Sequence, residues 1–460
     1  MLMLVAGIAS IIPLTLIALL AVAVLACVAP VGVLVAAVAA LPFFYRPISL
    51  GGQQFAASEL LLALAAGGTA FQLLVSTAGS PRRIVQLTWS RLSAVLTSRT
   101  VIAAVILALV GALLVAMPFD PSHRSDSLRE WRWTMLEPVL LLALLVWHRR
   151  ERALPELAAL ALIVGGAFAS LYALADLAVG GGVNVAGVTR IAGPYPHPNA
   201  LALMTVRIGA LGFAWGVLAP RWRRMLWPLT LVCGLAVAAT FSRGAMLAAF
   251  VALLLVLLNV SPRVRVAGLS LAATGLVGAI IVARDRMLDL FGGGSGSLRI
   301  DVWSSAIEMI RDRPLVGYGP DQFLYAYLPR YVRPTAWGER FTAHAHNFLL
   351  DFWVRLGIIG AAFIVIALLI CLATLARHMR DGGDGTPQPL RHAALVALIA
   401  TFAHGMVDNA FFSHDLAMSC WLLAWLAFGV RLEHAGDEVG GNSARAGFGR
   451  GRVHRVSSLR

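Results

Sequence analysis

ARDRMLDLFGGGSGSLRIDVW (283–303) and ERFTAHAHNFLLDFW (339–353) open and close the longest polar interruption in an otherwise apolar chain. Between Arg284 and Asn347 lie eight arginines and, at the end, two histidines, before the sequence turns apolar again. Backbone in hydrocarbon must satisfy its N–H and C=O groups internally, at several kcal/mol for each group left unpaired. An irregular polar segment of this length therefore lies in water at a membrane face or lines a cavity, and its partner is expected to be polar and delivered there.

The sequence on either side supplies the membrane. Of 460 residues, 59% are hydrophobic and 13% charged, and the mean hydropathy is +0.81, too little polar surface to wrap an aqueous globule. Residues 2–41 form one apolar run, about 60 Å if helical, twice the ~30 Å of a bilayer core. The run must fold back or tilt, with Pro13 and Pro30 as break points. Further spans are read at 57–78, 100–117, 134–147, 155–177, 199–219, 225–241, 245–260, 266–283, 346–376 and twice within 393–430. The predicted fold class is all-α, a polytopic transmembrane helical bundle of 12–13 spans with one long periplasmic loop containing short helices. The chain divides into N-terminal spans (1–283), the periplasmic loop (284–345), C-terminal spans (346–430) and a disordered basic cytoplasmic tail (431–460). The N-terminus lacks a basic leader and a cleavage site and reads as a retained span.

All 37 basic residues are arginine, and the formal charge is +14. They concentrate in short alternate loops, around Arg82 and Arg99, Arg149 to Arg152, Arg221 to Arg224, Arg263 and Arg265, and Arg377 to Arg391, which the positive-inside rule assigns to the cytoplasm. That distribution excludes a nucleic-acid partner. Cys27, Cys233, Cys371 and Cys420 stand singly in apolar runs without CxxC spacing and carry no redox or metal message. The loops at 118–133, 180–198, 242–244 and 284–345 then face the other side.

Three arginine-bearing clusters fall in those loops. Thr189-Arg190-Ile-Ala-Gly-Pro-Tyr-Pro-His197-Pro198-Asn199 is a Pro-rich turn ending at a helix start, whose N–H groups are a common anion seat; a plain stiffened turn explains it equally. Ser242-Arg243-Gly244 breaks two apolar runs, and an arginine there must face a cavity or snorkel. Leu298-Arg299-Ile-Asp-Val-Trp303 begins a helix predicted to run through Arg311, with apolar residues at 300, 303, 306, 307 and 310. The glycines of Pro314-Leu-Val-Gly317-Tyr-Gly319-Pro320 supply positive φ for a turn and are too common to make a phosphate loop. His344-Ala-His346-Asn347 adjoins the next span. No third or fourth ligand groups with this HxH pair in the sequence, so no metal is expected, and the histidines read as a general base or hydrogen-bond donors. Inside the spans, Asp351 and Arg355 share a helical face as a structural ion pair; Glu137, Asp176 and Arg207 carry no assigned role. Asp408 sits near a helix end, placed to orient an arginine. No DxD, GxSxG, Walker or HExxH motif is present.

Taken together, RIAGPYPHPNALAL, TFSRGAMLA, RIDVWSSAIEMIRDRPLVGYGPDQF, HAHNFLLDFWVRLGIIG and HGMVDNAFF, in that order over about 190–412, resemble the O-antigen ligase/O-antigen polymerase family. The resemblance implies a metal-independent, inverting glycosyltransferase in the bacterial inner membrane, with its active site at the periplasmic face and no cofactor. Its donor would be an undecaprenyl-diphosphate-linked glycan. Its acceptor would be lipid A-core for a ligase, or another repeat unit for a polymerase. By the same resemblance Arg190, Arg243 and Arg299 are expected to bind diphosphate, and His346 or His344 to act at the acceptor, with His346 preferred as the residue nearer the span. His197, Asn199, Asn347 and Asp408 are expected to support them. Arg355 departs from the acidic residue expected there. The alternative of a secondary transporter predicts mid-span charges in broken helices with repeat symmetry, whereas charge here gathers in one outer loop; a membrane scaffold has no need of the histidine cluster.

Overall fold

The computed structural model describes residues 18–50, 52–77, 81–185, 187–258, 260–270, 295–380 and 389–430. Residues 1–17 with Pro13, most of the apolar run at 266–283, the opening of the polar loop at 284–294 and the tail from 431 lie outside the described residues. In chain order the helices are α1 (Ala18–Val28), α2 (Pro30–Ala40), α3 (Ala57–Thr77), α4 (Pro81–Leu96), α5 (Arg99–Ala116), α6 (Arg124–Trp131), α7 (Glu137–Trp147) and α8 (Leu154–Ala178). There follow α9 (Pro198–Leu218), α10 (Arg223–Ala239), α11 (Arg243–Leu257), α12 (Ser295–Asp312), α13 (Phe323–Arg330), α14 (Phe348–Arg380), α15 (Pro389–Gly405) and α16 (His414–Ala424). Two short antiparallel hairpins, Ile48–Leu50 with Gln53–Phe55 and Val183–Val185 with Val188–Arg190, are the strands among the described residues.

The protein is an all-α polytopic helical bundle. Among the described residues five helices, α3, α5, α8, α9 and α14, are long and apolar enough to cross a membrane by length and composition. Other apolar runs among the described residues form shorter helices, and the reasons are local. Pro30 separates α1 from α2, where the break was expected. A π-helical turn, Arg132–Leu136, joins α6 to α7, and another, Trp425–Gly429, prolongs α16. Outward-facing Leu109, Leu113, Leu231, Ile366 and Leu369 are exposed, an apolar coat that suits lipid and would be a liability in water. The inner faces of nearly all these helices share one core, in which α9 is the most enclosed span.

The polar loop builds a core of its own. Val302, Ala306 and Met309 of α12 pack with Tyr318, Phe323 and Tyr327, and with Val354 of α14. The expected helix is present with its period, and the expected face only in part: Ala306 and Ile310 are buried, Ile300 and Ile307 are exposed, and Val302, Ser305 and Met309 are buried instead. The cause is that Ile300 and Trp303 line a cavity instead of packing on the bundle.

That small core is stitched to the bundle at a break in α14. Gly357 has φ 63° and ψ −157°, a region essentially reserved for glycine, and divides the helix. The Pro314–Pro320 turn fills the gap: Tyr318 N–H donates to Val354 O (2.7 Å), Gly319 N–H to Arg355 O (2.9 Å) and Ile358 N–H to Leu315 O (3.3 Å). A Cβ at Gly357 would lie 2.0 Å from Leu315 O, and one at Gly317 2.5 Å from Val354 O. The Gly-x-Gly turn is thus a backbone plug. Gly357→Ala is expected to destabilise the protein by at least about 1–3 kcal/mol from backbone strain alone, read as a lower unfolding midpoint in detergent; an unchanged midpoint would show that the plug contributes nothing.

Candidate functional site

Asp408 is the point on which the site converges. It lies in the loop joining α15 to α16 and is buried, at 5% exposure. His346 Nδ1 is 3.3 Å from its Oδ1, His344 Nε2 is 3.6 Å from the same oxygen, and Arg299 Nη2 is 3.7 Å from Oδ2. The Asn409 N–H also donates to Oδ1, at 2.9 Å. Burial pushes this carboxyl up, but the hydrogen bonds and charges of His344 and His346 outweigh it and hold Asp408 well below the usual carboxylate range. A fixed anion thus faces both imidazoles. The arginine that Asp408 approaches is Arg299, and its gathering of both histidines left no mark in the sequence.

His346 is held more firmly than His344. Its backbone is in the left-handed region at φ 52°, costly for a residue with a Cβ, and its carbonyl accepts from Trp303 Nε1 at 3.2 Å. With Nδ1 on Asp408, its Nε2 lies 3.3 Å from Thr342 Oγ1. Thr342 can give its one proton either to Nε2 or to His344 O, 3.1 Å away, so the resting ring is lightly held on that side. His344 packs edge-on against it, ring centroids 4.3 Å apart. Asn347 caps α14: its Oδ1 accepts from the Leu349 and Leu350 N–H groups (3.0 and 3.1 Å), and its Nδ2 donates to Met406 O (3.0 Å). It supports the site by tying the two loops together.

Beside this cluster is an open cavity of about 370 Å³ lined by Arg243, Gly244, Leu247, Arg299, Ile300, Trp303 and Val407. Two of the three expected diphosphate ligands therefore share one space, and Arg299 reaches from it to Asp408. The Ser242-Arg243-Gly244 break is made by Ser242, whose hydroxyl caps α11 at Ala245 N (3.4 Å). Gly244 lets the helix settle on His404, since a Cβ would lie 2.7 Å from that ring. His404 is buried, and neither of its ring nitrogens has a hydrogen-bond partner among the described residues. The spacing of His404 to Asp408, one helical turn, was the only hint of it in the sequence.

Arg190 is placed differently. Its Nε donates to Thr240 O and its Nη2 to Asn199 Oδ1 at 2.7 Å, tying the hairpin before α9 to the end of α10. His197 Nδ1 accepts the Asn199 N–H at 3.2 Å, and His197 O accepts from Ala200 and Leu201. The expected anion seat at this helix start is therefore already filled by the turn itself, which is a correction. The turn still adjoins the cluster: burial, then Arg190, push His197 below its ordinary value, with smaller influences from Asp408 and His346.

The expectation that nothing groups with the HxH pair is also corrected. His344, His346 and Asp408 offer ligand atoms all within 4.8 Å of one another. Arg299 approaches the same carboxylate, so a dication there would meet a fixed guanidinium, and the cation this donor set already serves is the arginine.

Two buried arginines, Arg355 and Arg207, frame the site; of their contacts only the Arg355–Asp351 pair is legible in the sequence. Arg355 makes the expected pair with Asp351 (3.0 Å), and also meets Glu130 Oε2 (3.1 Å) and donates to Ala343 O (3.0 Å). Asp351 Oδ1 in turn accepts the Ala345 N–H at 2.7 Å. Arg207, inside α9, donates to Ala410 O (2.9 Å), Leu416 O (2.9 Å) and Ser419 Oγ (3.0 Å), fixing the far side of the Asp408 loop. Compared with known protein families, residues 228–365 match the family model described as O-antigen ligase. No curated protein matches the chain.

Proposed function

We propose that this protein, of which residues 228–365 match the family model described as O-antigen ligase, transfers a glycan from undecaprenyl diphosphate to an acceptor hydroxyl at the periplasmic face, with inversion and without a metal. The observation that carries this reading is the cavity shared by Arg243 and Arg299, with Arg299 also reaching the Asp408–histidine cluster. The acceptor oxygen attacks the anomeric carbon from the face opposite the carrier. The bond from that carbon to the diphosphate oxygen breaks, and the diphosphate leaves with the electron pair. Guanidinium groups stabilise that leaving charge by bidentate hydrogen bonds and keep their own charge throughout. His346 Nε2 takes the acceptor proton, and Asp408 on Nδ1 orients the ring and offsets the imidazolium charge.

Arg299→Ala is expected to weaken binding of a defined lipid-diphosphate donor by about 10- to 100-fold, the scale of losing hydrogen bonds to a charged group, and to lower turnover with it. Arg299→Lys keeps the charge without the planar fork and restores only part of both. Unchanged donor affinity in Arg299→Ala removes this residue from the diphosphate site. Sidedness has its own test: a reporter inserted in 320–340 should read periplasmic and ones near Arg150, Arg223 and Arg380 cytoplasmic, and a cytoplasmic signal from 320–340 would end this assignment.

A further inference from the structure

A second polar cavity lies at the other end of the bundle. Helix α3 begins at the start of α16, the helix that follows the Asp408 loop, where Ser58 Oγ is 2.9 Å from His414 Nε2, and its 21 residues run about 30 Å before it ends. There, between the last turns of α3, helix α4 and the turn after α7, is a cavity of about 320 Å³. Its polar lining includes Thr69, Gln72, Ser76, Arg91 and His148, with Trp147 beside them. The Arg91 guanidinium lies over the Trp147 ring at 5.5 Å, and its Nε is buried with no hydrogen-bond partner among the described residues. Thr69 Oγ1 donates to Ala65 O at 2.7 Å, so at 3.0 Å it accepts from His148 Nε2. Burial, then Arg91, push His148 down to about 4, which leaves Arg91 as the charge that lines the cavity.

The apolar side chains lining the cavity include Phe71 and Val75, both exposed. On the same two helices Leu74 of α3 and Trp89, Leu92 and Leu96 of α4 are exposed too. Helix α4 is short and amphipathic, with Arg82, Arg83 and Arg91 set among apolar residues, the composition of a helix lying at a headgroup boundary. A basic pocket flanked by exposed apolar helix faces at the end of a membrane span matches a phospholipid, phosphate inward and acyl chains along the rim. A free phosphate would make no use of that rim.

We propose that this cavity binds the phosphate of an anionic glycerophospholipid on Arg91, beside Ser76, with acyl chains against α3 and α4. The proposal is independent of the glycan-transfer reading, because its test involves no turnover. Full-length protein is reconstituted with equal phosphatidylglycerol and phosphatidylcholine, stripped in detergent, and its retained lipid weighed by native mass spectrometry. Wild type should retain phosphatidylglycerol in preference. Arg91→Gln should lower the retained fraction about tenfold, on the scale of a charge-assisted hydrogen bond. Ser76→Asp, an exposed position where a carboxylate in the same cavity repels phosphate and competes for Arg91, should do the same. Arg150→Gln, in the exposed turn nearby, should not. Equal retention of the two lipids, or wild-type retention in both Arg91→Gln and Ser76→Asp, overturns the proposal. Thermal stabilisation by inorganic phosphate alone, with no lipid retained, overturns it in favour of a soluble phosphate ligand.

Discussion

His346→Ala lowers single-turnover glycan transfer by about 10²–10⁴-fold, the typical worth of a general base, while donor affinity stays near wild type. Binding and chemistry should separate because the histidine meets the acceptor proton only as the transition state forms, whereas the arginines meet diphosphate in the ground state too. The preference for His346 over His344 now rests on geometry: its Nδ1 is 3.3 Å from Asp408, against 3.6 Å for His344 Nε2, and its backbone is fixed by Trp303. His344→Ala should therefore cost less than His346→Ala. Wild-type turnover in both variants would remove histidine from the chemistry, and a reversed order would exchange the two roles.

Arg355→Met should be among the most destabilising single changes, about 3–5 kcal/mol, because it leaves a buried ion cluster uncompensated. Asp351 is fully buried and Glu130 nearly so, and both face this guanidinium. The loss should be visible as a lower denaturation midpoint in detergent. Replacing Arg355, Asp351 and Glu130 together by apolar residues of similar volume should recover much of it, since the penalty comes from orphaned carboxylates. An Arg355→Met protein as stable as wild type would mean the cluster is solvated. Activity should fall with stability, because Arg355 also holds Ala343 O, next to the first histidine.

The helical class and most element positions were legible because apolar runs in a membrane need little tertiary information to be read. The length of each helix was less legible. Pro30 announces its break, but the π-helical turns at Arg132 and Trp425 are set by packing and leave no mark in composition. In the polar loop the period of α12 could be read and its buried face only in part, since a second core competes with the bundle for the same helix. Both glycines of the Pro314–Pro320 turn looked like ordinary turn residues, and the tight fit of Gly317 against α14 depends on Gly357, 40 residues further on. For the site, the sequence marked His344, His346 and Arg299 but not their meeting on Asp408, because a carboxylate 62 residues from His346 is brought there only by folding. Arg207 looked anomalous in a span and is explained by the carbonyls of the loop it holds.

The most direct test of the account is a single-turnover assay with purified protein, a synthetic undecaprenyl-diphosphate-linked glycan and a hydroxyl acceptor, run in excess chelator. The expected result is transfer with inverted anomeric configuration and release of undecaprenyl diphosphate, with transfer lowered about 10²–10⁴-fold in His346→Ala and donor binding weakened about 10- to 100-fold in Arg299→Ala. Turnover that vanishes with chelator and returns with a divalent ion, or that survives both substitutions at the wild-type rate, would contradict it.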